Sequence, residues 1–104
     1  MKPPKPSNYD ESLVAELEII YIEKKIEWLK QKQVEHKDKL KLYEDKITAG
    51  SHNYYLNSIL DISSRWTEGQ IGYIYLHTLS GVRTFHTREN PQAFIEAFKN
   101  TDHL

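Results

Sequence analysis

A chain of 104 residues, 38% hydrophobic and 28% charged, has the size and composition of one small globular domain with a modest core. Its 14 lysines and arginines face 15 acidic residues, a net charge of -1, so it lacks the basic excess that draws a protein to nucleic-acid phosphates. The absence of cysteine excludes a disulfide frame and any thiolate site, and fits a reducing cytoplasm.

Residues 1–8 hold Pro3, Pro4 and Pro6 and read as a flexible leader, with a proline-rich docking peptide as the sharper alternative. The first residues, "MKPPKPSNYDE", carry no apolar run of signal-peptide length. No segment approaches the roughly 20 apolar residues of a spanning helix. A cytoplasmic protein without direct membrane insertion is the expectation.

Residues 9–39 predict a long amphipathic helix. Glycine and proline are absent from Asp10 to Lys39, and strong helix formers dominate. Ser7 or Asp10 suits the cap, and Glu11 and Glu16 suit the positive end of the helix dipole. Ala15, Ile19, Ile22, Ile26 and Leu29 recur at spacings of four and three. Val14, Leu17, Tyr21 and Trp28 form a second stripe beside them. "LEIIYIE" (17–23) is β-branched and aromatic enough for a strand, but the 3.5 period persists beyond it and favours the helix. Roughly 28 helical residues span about 42 Å, against a radius of gyration near 13 Å for a domain of this size. The element therefore breaks, projects, or meets a second copy. The isoleucine stripe points to self-association, and Ile19, Ile22, Ile26 and Leu29 are the candidates.

After Lys39 the pattern changes to short strands. "KLKLYEDKITAG" (39–50) predicts two strands about a polar turn at Glu44-Asp45-Lys46, and "NYYL" (53–56) another. "NSILDISSRW" (57–66) predicts a connection and a strand. "TEGQ" predicts a turn in which Gly69 supplies freedom in φ. "IGYIYLHT" and "VRTFHT" predict a hairpin about Ser80-Gly81. "ENPQAFIEAFKN" predicts a helix capped by Asn90, with Pro91 at its first position and Phe94, Ile95 and Phe98 on its apolar face.

From Leu40 to Lys99, "LYEDKITAG", "ILDIS", "GYIYLHTLSGVRTF" and "NPQAFIEAF" together resemble the C-terminal part of bacterial pleckstrin-homology-like (PH-like) domains. The resemblance implies a strongly bent antiparallel sheet closed at one end by an amphipathic helix, and a role in protein contacts or assembly. Complete PH-like domains carry seven strands, whereas this sequence offers five or six after a helix. The basic lipid-headgroup loop of that family is not carried over, because the loop matched to it, "TAGSHNY", has no lysine or arginine.

The expected architecture is thus α+β: a long N-terminal helix, an antiparallel sheet of five or six short strands forming a PH-like half-barrel over 40–104, and a capping C-terminal helix. In the hairpin, a loop of two or four residues sets His77 opposite Thr84 and Tyr75 opposite His86. Tyr73, Tyr75, His77, Thr84 and His86 then share one face, and Ile74, Leu76 and Phe85 the core face. An odd loop length would separate the two histidines. No third ligand in the hairpin supports a metal, and no G-x-S-x-G elbow supports catalysis by a serine. Arg65, Arg83 and Arg88 near aromatics allow a single-stranded nucleic-acid binder as the alternative, without a basic field behind it. A non-enzymatic interaction or assembly module without cofactor is the expectation, with itself and another protein as partners. Tyr73, Tyr75, His77 and His86 are its candidate partner surface.

Overall fold

The computed structural model describes residues 13–101. The expected leader and the caps at Ser7 and Asp10 lie outside these residues. Seven antiparallel strands are followed by one helix: β1 (Leu13–Glu27), β2 (Lys30–Tyr43), β3 (Lys46–Ala49), β4 (His52–Tyr55), β5 (Ile59–Arg65), β6 (Gly72–Thr78), β7 (Gly81–Thr87) and α1 (Gln92–Lys99). A single 3-10 turn, Leu56–Ser58, joins β4 to β5. The strand order is β4-β3-β2-β1-β7-β6-β5.

The long N-terminal helix expected over 9–39 is not formed, and the sheet has seven strands rather than five or six. Residues 13–43 are a hairpin, paired without interruption from Ala15↔Leu42 to Glu27↔Lys30. Two features hid it. Apolar residues lie on both faces of β1: Leu17 and Ile19 enter the core, while Ile20 and Ile22 point to the opposite face. That two-sided pattern mimics a helical period rather than strict alternation. The turn, Trp28-Leu29, also lacks the Asn or Gly that favours a two-residue hairpin. Both residues stand at positive φ, 51° and 68°, a region that costs a side-chain-bearing residue about 1–2 kcal/mol.

After Lys39 the expected strands and helix form, with α1 starting one residue later than expected so that Pro91 takes the cap position. Gln70 N–H donates to Thr67 O at 3.1 Å in the predicted turn. Asn90 Oδ1 accepts from Gln92 N–H at 2.9 Å, and Phe94, Ile95 and Phe98 of α1 are buried. The helix lies against β1 and β5. Tyr54 on β4 meets the Phe85 ring on β7 edge-on at 6.5 Å, although three strands separate them in the sheet. The sheet is therefore bent over on itself. Leu17, Ile19, Leu40, Leu42, Ile47, Ile62, Ile74 and Leu76 fill the concave side together with α1.

One expectation about shape survives the change of secondary structure. The radius of gyration is 16.0 Å and the long axis is 60 Å, against 32 and 27 Å across. The projecting element is a two-stranded arm. Every residue from Tyr21 to Gln33 is exposed, and the arm leaves the sheet where β1 pairs with β7 through Ile20↔His86.

Two substitutions test this fold. Replacing Trp28-Leu29 with Asn-Gly should raise the unfolding free energy in dilute solution by about 1–2 kcal/mol, read by urea denaturation. A loss of stability would contradict the strained turn. Gly72→Ala should destabilise by about 1–3 kcal/mol, because its Cβ would stand 2.6 Å from the Arg65 carbonyl oxygen and 2.8 Å from Trp66 Cα.

Candidate functional site

The predicted face exists in β5, β6 and β7. The β6–β7 loop is Leu79-Ser80, closed by Thr78↔Gly81. Tyr73 therefore opposes His86, and Tyr75 opposes Thr84. Each partner lies two residues from the expected one, a shift that preserves parity. Tyr73, Tyr75, His77, Thr84 and His86 share the outer face, while Ile74 and Leu76 are buried and Phe85 packs against the core.

The rings form a ladder. Tyr73 and His86 centroids are 4.9 Å apart, Tyr73 and Tyr75 6.0 Å, and Tyr75 and His77 6.4 Å. The β5 edge adds Asp61 opposite His77, Ser63 opposite Tyr75 and Arg65 opposite Tyr73. Ser63 Oγ and His77 Nε2 share a hydrogen bond of 2.8 Å, a contact the sequence reading missed. It has the reach of a nucleophile–base pair. Among the described residues, however, no carboxylate hydrogen-bonds the other ring nitrogen of His77, and no group of three His, Cys, Asp or Glu side chains could hold a metal ion. The ladder offers flat aromatic area with polar tips, the chemistry of a protein-contact surface.

The self-association candidates do not stay together. Ile19 is 5% exposed and belongs to the core, so it cannot meet a partner. Ile22 and Ile26 share one face of the arm, the side that carries Ile20. Leu29 stands at the tip beside Trp28. Ile26, Trp28 and Leu29 are 80, 94 and 100% exposed. Nothing in the helical reading signalled that Trp28 and Leu29 would crown a hairpin.

The root of the arm is braced from both sides. On one face Glu35 accepts from Arg88 twice, from Nη2 at 2.8 Å and from Nε at 3.3 Å. This fork pulls the Glu35 pKa below the ordinary glutamate value, through the hydrogen bond first and charge second, with desolvation opposing it. The same pair raises the Arg88 pKa. On the other face Tyr21 stacks on His36 at 4.9 Å, and Glu23 Oε1 lies 2.7 Å from His36 Nε2. No sequence pattern links Glu35 to Arg88, which lie 53 positions apart.

No helix among the described residues is long and apolar enough to cross a membrane. No protein-family model, curated protein or solved structure matches the chain.

The brace has a pH signature. Because the folded pKa of Glu35 is lowered, the brace's contribution is complete above the unfolded glutamate value and is lost as pH falls through the folded one. In a carboxyl NMR titration Glu35 should titrate below the ordinary glutamate value, and Arg88→Gln should raise its midpoint toward that value. An unchanged Glu35 midpoint in that variant would remove the brace.

Proposed function

We propose that this chain is a small non-enzymatic interaction module that assembles with copies of itself through the arm and offers the Tyr73–His86 face to another protein. The observation that carries the reading is the arm. Ile22, Ile26, Trp28 and Leu29 stand exposed on a two-stranded ribbon that none of the other described residues covers. An isolated two-stranded ribbon is marginal in water, and exposed apolar strand residues are a liability unless something covers them. A strained, bulky turn where glycine would be easier is the kind of local cost that persists at contact sites.

The strand count favours the PH-like resemblance, and it moves the loop between the first two strands to the Trp28-Leu29 turn, because "TAGSHNY" joins β3 to β4. Four sequential strands, three more and a terminal helix supply the seven strands the sequence had seemed to lack. That resemblance favours assembly and protein contact over chemistry, and the cysteine-free composition favours a cytoplasmic setting. Arg65 opposite Tyr73 keeps a second reading, a surface for single-stranded nucleic acid, whose mark would be retention at low salt that falls steeply as salt rises.

Sedimentation equilibrium tests the main reading. The wild-type chain should associate reversibly in the micromolar range, and Ile26→Asp should be monomeric at the same concentrations while keeping the melting temperature that the wild type shows when diluted to monomer. A wild-type chain that stays monomeric at the highest soluble concentration would overturn self-association.

A further inference from the structure

We infer that two copies join edge to edge along the free stretch of β1, antiparallel and centred on Lys24, so that Ile22 of each copy faces Ile26 of the other and Glu23 faces Lys25. This deepens the self-association reading and rests on it.

The arm has two open edges, and they differ. Among the described residues β1 has no paired strand other than β2 from Tyr21 to Glu27, since its pairing with β7 is confined to Ile20↔His86. β2 has no neighbour other than β1 from Lys30 to Lys39, since β3 joins at Leu40. The β2 edge carries Lys30, Lys32, Lys37 and Lys39, the residue type that guards an edge against pairing. The β1 edge carries Lys24 and Lys25 as well, but it intersperses them with Glu23 and Glu27 of opposite charge and with Tyr21, Ile22 and Ile26, so two copies laid antiparallel can match charge and apolar surface.

Register follows from symmetry. A two-fold axis perpendicular to the ribbon keeps the faces of both copies on the same sides. Opposed residues must then share parity, so the axis passes through a residue and never between two. The midpoint of Tyr21–Glu27 is Lys24, and centring there pairs the whole stretch. It also sets Glu23 against Lys25 and Ile22 against Ile26, each twice by symmetry. Centring on Glu23 would oppose Glu23 to itself and Ile22 to Lys24. Centring on Lys25 would oppose Lys25 to itself and Glu23 to Glu27. The longest overlap is therefore also the one with complementary charges. Its one like-charge contact is Lys24 with Lys24 on the axis, where the long side chains can splay.

The same register carries the second copy's Trp28 level with Ile20, where β7 meets β1. A cavity of about 230 Å³ opens there, lined among others by Ile20, Tyr21, Thr84, Phe85 and His86. The exposed indole thereby gains a seat that the described residues of its own chain do not provide.

Charge exchange tests the register. Glu23→Lys and Lys25→Glu each turn both cross-copy pairs into like-charge pairs, so each variant alone should self-associate about tenfold or more weakly than wild type. Mixed in equal amounts, the two variants restore opposite charges at every pair and should form a heterodimer near wild-type affinity. Lys24→Leu should tighten the dimer. Glu23→Lys also gives up the His36 contact, so melting temperatures accompany each measurement. A mixture no tighter than either variant, or Lys25→Glu as tight as wild type, overturns the register. Should Ile26→Asp still abolish association in that case, self-association stands without it. A wild-type chain that stays monomeric, or one that remains monomeric yet binds anionic vesicles through Trp28 and Leu29, overturns both.

Discussion

The two halves of the sheet meet at one narrow seam on β1. Ile20↔His86 is the pair that joins β1 to β7. The segment that follows clasps the same strand. Thr87, fully buried, donates its hydroxyl to the Glu18 carbonyl at 2.8 Å, Glu18 N–H donates to Glu89 Oε1 at 3.1 Å, and Arg88 forks onto Glu35. A hydrogen bond of this kind contributes about 0.5–1.5 kcal/mol net, whereas a buried carbonyl left without its donor costs about 1–3 kcal/mol. The seam therefore fixes where the body ends and the arm begins.

Everything beyond the seam is shaped by the lack of a third strand. Inside it, β1 is a central strand whose side chains face α1 and the concave core. Outside it, β1 is an edge whose backbone groups meet only β2. The isoleucines continue across this boundary without change, so the strand goes on presenting apolar side chains after the sheet that would bury them has stopped. Such an edge is a liability unless something covers it. The outer face of β5, β6 and β7 poses no such problem, because tyrosines and histidines tolerate water at their tips while keeping their rings packed on one another.

The compact part of this architecture was legible in the sequence because its local chemistry agrees with its fold. Asn90-Pro91 begins α1, Gly69 sits in a turn, and "KLKL" alternates into the core. The faces of Tyr73, Tyr75, His77 and His86 were legible even though their pairing was not, since a two-residue shift keeps side chains on the same side. The arm was illegible for physical reasons. Trp28-Leu29 carries no turn signal, the lysines and glutamines of β2 are good helix formers, and apolar residues on both faces of β1 erase its alternation. The expected self-association set shows the consequence. Its periodicity grouped Ile19 with Ile22, Ile26 and Leu29, but the strand sends Ile19 inward and leaves the others outside.

The central claim is that the free edge of β1 is completed by a second copy. Amide hydrogen exchange followed against protein concentration tests it most directly. The account predicts that amides within Tyr21–Glu27 gain protection as concentration rises, while those within Lys30–Lys39 that face away from β1 do not. Protection that is independent of concentration in both strands, or that rises along β2 instead, would contradict it.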